Sequence, residues 1–171
     1  FGSSCIYPKN INKPISENLL LSGKLEYTNE PYAIAKIAGI KMCENYNIQF
    51  KTKYKCLMPC NSYGPNDNYD LKNSHFIAAL IKKTYLAKKN KKNILKIWGS
   101  GKPKREIIFV DDIANACIFF MNKNTKETLI NIGTGIDKSI ETYAKLIIKY
   151  FKVNLKIVRD KKMPDGIKKK L

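Results

Sequence analysis

The sequence predicts an α/β fold, because helix-like and strand-like segments alternate along its 171 residues. Two strand-like segments also end in small residues. Phe1-Gly2 runs into Ser3-Ser4-Cys5, and 129–132 runs into Gly133-Thr134-Gly135. Open α/β sheets bind their ligands at the carboxyl ends of strands, so we expect a site where these strands end.

Apolar residues at helical spacing predict the helices. The first follows a Thr-Asn-Glu-Pro start signal, and Ser139 is the expected N-cap of the last. Asp111-Asp112 is the expected N-cap of the helix between them that ends at Met121. The predicted helices cover 31–47, 74–89, 111–121 and 140–151.

Short apolar segments between these helices predict strands. The second of them, 94–98, precedes a Gly99-Ser100-Gly101 turn. No internal repeat interrupts the alternation. The predicted strands cover 53–58, 94–98, 107–110, 129–132 and 155–158.

The formal net charge of +18 first suggests a nucleic-acid partner, since basic surfaces bind phosphate. However, Arg105 and Arg159 are the only arginines, and proteins that read bases rely on arginine. Lysine runs such as 88–92 and 168–170 are typical of a solvated helix end and a tail. We therefore expect no nucleic-acid partner.

The five cysteines are odd in number and contain no CxxC pair or metal-ligand spacing, so we expect a reduced, cytoplasmic protein without a metal site. No apolar run approaches the ~20 residues that span a bilayer, and we expect no membrane partner.

Tyr32 and Lys36 are four residues apart on the first predicted helix and therefore share a face. An ammonium beside a phenol stabilises the ionised phenol, which makes it a usable acid or base. Ser3 could meet Tyr32 across a cofactor. An amphipathic helix that merely happens to carry both residues accounts for the spacing equally well.

Sequence blocks around these residues decide between the two interpretations. They resemble, in order, successive blocks of the GDP-L-fucose synthase family of the extended short-chain dehydrogenase/reductase superfamily. They are GSSCIYPK, TNEPYAIAKIAGIKMCE, NSYGPNDNYDLKNSH, WGSGKPKRE, VDDIANA, NIGTG and PDGIKKKL. The resemblance implies the C-terminal part of a Rossmann-like doubly wound parallel sheet plus part of a smaller α/β substrate-binding domain.

The same resemblance implies a domain division. Residues 1–65 are expected to be the remainder of the dinucleotide-binding domain, and 66–171 mostly the substrate-binding domain, with 107–135 returning to the Rossmann sheet. A phosphate-binding glycine motif is absent, and the sequence does not start with Met. We therefore expect a fragment that lacks the N-terminal glycine-rich unit and the C-terminal end, and that is inactive alone.

The activity implied by the resemblance is NADPH-dependent 3,5-epimerisation and 4-reduction of GDP-4-keto-6-deoxy-D-mannose to GDP-L-fucose, with NADP(H) as cofactor. Cys5 and His75 resemble the epimerising base and acid, in an order that is left open. Ser3, Tyr32 and Lys36 resemble the groups that stabilise the ketone oxygen and serve hydride transfer. A packed Cys5 and a surface or capping His75 are the structural alternatives.

Ligand-contacting residues are carried over by the same matching. Trp98 would stack on or line the nucleotide, Arg105 would bind the diphosphate, and Asp165 would accept from a sugar or guanosine hydroxyl. The structural alternatives are an ordinary half-buried side chain for Trp98, a surface ion pair for Arg105 and a plain turn residue for Asp165. Lys83 stands where the family usually has Arg, so a bidentate grip is lost. The expected cofactor-binding residues are Phe1, Gly2, Ser3, Ser4, Tyr32, Lys36, Pro59, Cys60, Asn61, Ser62 and His75.

Three further positions depart from the usual family blocks: Cys60 replaces Thr, Ser62 replaces Leu, and Phe109 replaces His. A sister UDP-sugar 4-epimerase or 4,6-dehydratase would keep Ser3 and the Tyr-Lys pair but would not need Cys5 with His75. A noncatalytic basic module would need neither. Relatives suggest a homodimer that binds a GDP-sugar.

Overall fold

The fold was obtained as a computed structural model, and the structure describes residues 1–11, 14–71, 73–163 and 165. The described residues form the α-helices α1 (Glu30–Phe50), α2 (Phe76–Lys89), α3 (Val110–Asn122) and α4 (Ile140–Tyr150). Their strands are β1 (Cys56–Pro59), β2 (Asn61–Tyr63), β3 (Ile94–Trp98), β4 (Lys104–Phe109), β5 (Leu129–Ile132), β6 (Asp137–Ser139) and β7 (Lys156–Asp160).

Several of the expected elements differ from the structure at their starts. α2 begins at Phe76 rather than at residue 74, and β4 covers Lys104–Phe109 rather than 107–110. β1 begins at Cys56 rather than at residue 53, because Tyr54 N donates to the Asn47 side chain and Lys55 Nζ donates to two backbone carbonyls. The N-cap of α3 is Phe109, so the expectation of an Asp111-Asp112 cap is wrong. Both carboxylates lie in the first turn, where they complement the helix dipole.

The chain divides into two compact units. Unit 1 contains 1–62 and 106–136, and unit 2 contains 63–105 and, among the described residues that follow, 137–163 and Asp165. The chain therefore leaves unit 1 after Ser62, returns at Glu106, and leaves again after Ile136. β2 pairs with β4, and β6 also pairs with β4.

In unit 1, β1 and β5 pair in parallel, with Cys56 opposite Leu129 and Pro59 opposite Ile132. Successive β1 side chains enter different cores, as the twofold alternation of a strand requires. Met58 packs in a cluster with Ile37 and Ile40 of α1, whereas Leu57 packs in a cluster with Ile113 of α3. Helices therefore cover both faces of this parallel pair, as in a doubly wound sheet.

In unit 2, β3 and β7 pair in parallel from Ile94 opposite Lys156 to Trp98 opposite Asp160. Leu95 and Ile97 point inward and are almost completely buried, while α2 contacts both β3 and α4. Ser139 caps α4 as expected, since its Oγ accepts from Thr142 N at 3.1 Å. The expected α/β class with parallel strands is confirmed.

Among the described residues, no helix combines the length and hydropathy needed to cross a bilayer. None of the five cysteines forms a disulfide. In the same ranges, no group of three or more His, Cys, Asp or Glu side chains is arranged to hold a metal ion.

Candidate active site

Tyr32 and Lys36 lie on the first turns of α1 at the edge of its buried face. Ala33, Ile37 and Ile40 anchor the helix to the core, so the residues just before them in sequence remain accessible. Tyr32 is 49% exposed, and Lys36 Nζ lies 5.6 Å from the centroid of its ring. The spacing expected from the sequence thus produces a phenol and an ammonium side by side on an accessible surface.

Lys36 also contacts the start of the chain, because its Nζ donates to the Phe1 carbonyl at 3.1 Å. The next residue, Gly2, donates its N–H to Leu57 O at 3.0 Å, which fixes this segment against β1. A Cβ on Gly2 would meet the end of the Met58 side chain, so a larger residue there would require that side chain to move. Residues 1–2 are thereby brought to the Tyr32–Lys36 pair.

Ser3 and Cys5 occupy one short 3-10 turn, Ser4–Ile6, that follows directly. Ser3 is its N-cap, and its Oγ accepts from Cys5 N at 3.3 Å. Ile6 is fully buried and belongs to the same core cluster as Ile37 and Ile40 of α1. The buried Ile6 therefore holds the turn on α1 and leaves the Ser3 and Cys5 side chains partly accessible.

The segment 59–62 lies where β1 ends. Cys60 N donates to Ile132 O at 2.9 Å, and Asn61 Nδ2 donates to Glu106 O at 2.9 Å. Burial, followed by the nearby Glu106 charge, raises the pKa of the Cys60 thiol to about 12. Cys60 is therefore a neutral packing group and not a nucleophile or base.

His75 belongs to unit 2, at the N-cap position of α2. Its side chain makes no capping hydrogen bond, although its carbonyl accepts from Ala79 N at 2.9 Å. Because that capping bond is missing, the capping alternative is wrong, and His75 is exposed. Cys5 lies in unit 1, so the pairing of Cys5 with His75 stays a prediction.

Unit 2 contains a pocket with a volume of about 190 Å³. Its walls are mostly apolar and come from α2, β3 and the start of α4. All the residues that were expected to contact substrate line it. They are Lys83, Trp98, Arg105 and Asp165.

Two cations in this pocket are held partly out of water. Lys83 Nζ lies 5.4 Å from the centroid of the Trp98 ring, and burial lowers the pKa of Lys83. Burial also lowers the pKa of Arg105, whose Nη1 donates to Lys104 O at 2.8 Å. Because desolvation disfavours the charged forms, an anionic ligand would restore favourable interactions to both side chains.

Asp165 faces the turn that follows β3. It accepts from Ser100 N at 2.5 Å and from Ser100 Oγ at 2.9 Å, and these bonds hold the pKa of Asp165 below its usual value. Gly99 and Gly101 give the turn its positive φ angles of 62° and 72°. Asp165 therefore shapes this rim as an ionised acceptor; the Pro164 and Gly166 of its expected turn lie outside the described residues.

Sequence reasoning gave no role to Ser74, the residue before His75. Its Oγ is buried on the pocket wall and makes no hydrogen bond within the described part of the chain. The only sequence signal was its place in the Asn73-Ser74-His75 block. A buried hydroxyl without a partner is costly, and a ligand oxygen in the pocket would supply one.

Known proteins resemble this chain over nearly its whole length. GDP-L-fucose synthase of Escherichia coli (strain K12) is 47% identical over 99% of the chain and 56% of its own length. Putative GDP-L-fucose synthase 2 of Arabidopsis thaliana is 46% identical over 99% of the chain and 52% of its own length. The chain therefore spans about half the length of these curated relatives.

Among solved structures, a GDP-L-fucose synthetase from Naegleria fowleri bound to NADP is 29% identical, with a TM-score of 0.90 over 99% of this chain and 55% of that one. These similarities confirm the expected resemblance and the Rossmann-like fold class. Residues 1–133 match the NAD dependent epimerase/dehydratase family. Since this match covers most of its residues, the chain belongs to that family.

Proposed function

We propose that this chain forms part of an NADPH-dependent enzyme that epimerises GDP-4-keto-6-deoxy-D-mannose at carbons 3 and 5 and reduces it at carbon 4, giving GDP-L-fucose. The observation that carries the proposal is the unit 2 pocket, in which two half-buried cations, an indole ring and an ionised carboxylate converge. A nucleoside diphosphate sugar carries the anionic, aromatic and hydroxyl groups that this set would bind.

Unit 1 is the proposed dinucleotide-binding part. The Tyr32 phenol, the Lys36 ammonium and the Ser3 hydroxyl are accessible donors near one end of α1, and such donors fit ribose hydroxyls and a carboxamide. Residues 1–4, His75 and 59–62 are the other proposed cofactor contacts. When bound, NADPH supplies the hydride for carbon 4.

The reduction leaves an alkoxide at carbon 4 that must take up a proton. Tyr32 is the proposed donor, and Lys36 stabilises the phenolate that remains. The bond from Lys36 Nζ to the Phe1 carbonyl keeps the ammonium beside the ring. Ser3 donates to the same oxygen and orients the ketone.

Epimerisation requires a base and an acid next to the carbons alpha to the ketone. We assign these roles to Cys5 and His75. Removing the alpha proton places negative charge on the ketone oxygen, which the Ser3 and Tyr32 hydroxyls stabilise, and the acid returns a proton to the opposite face of the ring.

The substrate's nucleotide is assigned to unit 2. Arg105 and Lys83 neutralise the diphosphate, Trp98 stacks on or lines the nucleotide, and Asp165 accepts from a sugar or guanosine hydroxyl. Lys83 contributes a point charge rather than a bidentate fork, so Arg105 carries the directional recognition.

The test measures the absorbance of reduced nicotinamide while the complete protein is incubated with NADPH and GDP-4-keto-6-deoxymannose. The matched control replaces the substrate with a UDP-4-keto-6-deoxyhexose. We expect oxidation only with the GDP-sugar. Equal or faster oxidation with the UDP-sugar would contradict the proposed preference for a GDP-sugar. No oxidation with either would refute the proposal, and it is the result expected of a sister 4-epimerase or 4,6-dehydratase, whose reactions consume no net NADPH.

A further inference from the structure

Glu106 is the one carboxylate among the described residues that is buried, with 6% of its surface exposed. Within those residues no lysine or arginine forms an ion pair with it. A buried charge of this kind is costly unless hydrogen-bond donors replace water around it. The donors that do so therefore identify what Glu106 holds in place.

The first donors come from the glycine loop after β5. Gly135 N donates to Glu106 Oε1 at 2.6 Å, and Thr134 Oγ1 donates to the same oxygen at 3.3 Å. A Cβ on Gly133 would collide with the carboxylate, and Gly135 has a φ of 71°. The loop is exposed, yet its backbone is fitted closely around a buried side chain.

The second contact uses the Glu106 backbone, whose carbonyl accepts from Asn61 Nδ2 at 2.9 Å. Asn61 immediately precedes Ser62, where the chain first leaves unit 1, and Glu106 is the residue at which it returns. Gly135 immediately precedes Ile136, where it leaves again. Glu106 is thus the unit 1 end of one connection, and it bonds residues beside the unit 1 ends of the other two: Gly135 through its carboxylate and Asn61 through its backbone carbonyl.

We infer that Glu106 is a positioning residue whose carboxylate holds the 133–135 loop, just before the chain leaves unit 1, beside the point at which the chain returns to unit 1. The inference rests on the proposed function, in which turnover draws on Tyr32 and Lys36 of unit 1 and on His75 and Arg105 of unit 2. Cofactor affinity depends mainly on unit 1 contacts. Loosening the connections should therefore reduce substrate turnover without an equal loss of cofactor binding.

The experiment compares four variants in the complete protein. Glu106→Ala removes the acceptor, whereas Glu106→Gln keeps a carbonyl oxygen that can accept from Gly135. Gly133→Ala pushes a methyl group into the carboxylate. The matched control is Glu17→Ala, because Glu17 Oε1 also accepts a backbone N–H in unit 1, that of Asn131 at 2.8 Å, away from the connections.

Three measurements are made on each variant. Kinetics give kcat/KM for the GDP-sugar, and calorimetry gives the NADPH affinity. Hydrogen exchange, followed by mass spectrometry of peptides covering 59–63, 104–107 and 133–137, reports on the connections without requiring activity.

Glu106→Ala should lower kcat/KM by up to about 10²-fold with little change in NADPH affinity, and exchange should accelerate in 133–137. Exchange in 59–63 should change little, because the Asn61 side chain bonds to the Glu106 backbone carbonyl, which the variant keeps. Glu106→Gln should restore most of the loss, and Glu17→Ala should show neither effect. Gly133→Ala should reproduce the Glu106→Ala phenotype. A double variant that combines Glu106→Ala with Gly133→Ala should show no additive loss, because each change removes the same contact between the carboxylate and the 133–135 loop.

Additive losses, unchanged exchange in 133–137, or a fall in NADPH affinity equal to the fall in turnover would overturn the inference. A wild-type protein inactive on the GDP-sugar would refute the proposed function instead. In that case the exchange data still decide whether the Glu106 carboxylate holds the 133–135 loop.

Discussion

Replacing Tyr32 with Phe removes one hydroxyl group and little else. The hydroxyl makes no hydrogen bond with the described residues, and the ring that Lys36 faces at 5.6 Å is retained. Because the side chain is 49% exposed, no cavity forms, and the free energy of unfolding should change by less than about 0.5 kcal/mol. The variant therefore isolates the chemistry of the phenol.

If Tyr32 donates the proton that completes reduction, its loss should slow NADPH oxidation by at least about 10²-fold. That factor corresponds to about 2.7 kcal/mol of transition-state stabilisation. The assay is kcat/KM with the GDP-4-keto sugar in the complete protein, beside a thermal unfolding curve.

The matched control is Tyr46→Phe, since Tyr46 lies on the same helix with a similar exposure of 46%. Tyr46→Phe should turn over normally. Near-normal turnover in Tyr32→Phe, or an equal loss in both variants, would refute the assignment of Tyr32 as proton donor.

Three further predictions concern the pocket and the adjoining loops. Arg105→Lys should raise KM for the GDP-sugar about tenfold by losing the guanidinium fork, whereas Arg159→Lys, at an exposed ion pair, should leave KM unchanged. The pKa of Asp165 is lowered in the folded protein, so its bonds to Ser100 stabilise the fold above the ordinary pKa of about 4 and are lost as pH falls through the lowered value. The difference in unfolding free energy between wild type and Asp165→Asn should therefore vanish in acid. Denaturant titrations at several pH values check this. Cys60, with a pKa of about 12, should stay protonated at pH 8 and react with iodoacetamide more slowly than a free thiol, and rapid alkylation in a mass-spectrometric time course would contradict the burial argument.

The spacing of apolar residues was enough to predict the elements whose positions depend only on which side chains are buried. β3 and β5 have the bounds expected from their apolar residues, and α1 needed only its start signal and apolar face. The sequence prediction started β1 three residues too early. Asn47 Nδ2 donates to Tyr54 O and Lys55 Nζ donates to Thr125 O, so side-chain hydrogen bonds rather than strand pairing hold the residues before β1. No local pattern reports such contacts between distant residues.

The candidate site also has a part that the sequence predicts and a part that it does not. The i, i+4 spacing of Tyr32 and Lys36 is a local property, and the structure reproduces it. The role of Glu106 depends on burial and on donors from residues 61 and 134–135, which are far from it in sequence. Its charge alone predicts an exposed residue, so the sequence offered no sign of its role.

The most direct test of the proposed function is deuterium uptake by the sugar in deuterium oxide, read by mass spectrometry beside NADPH consumption. Wild-type protein should introduce deuterium at carbons 3 and 5 of GDP-4-keto-6-deoxymannose even without NADPH. Cys5→Ser should suppress the exchange while reduction persists, because a serine hydroxyl is too weak a base at neutral pH but nearly preserves volume. NADPH oxidation by the wild type without any deuterium uptake, or wild-type exchange in Cys5→Ser, would contradict the account.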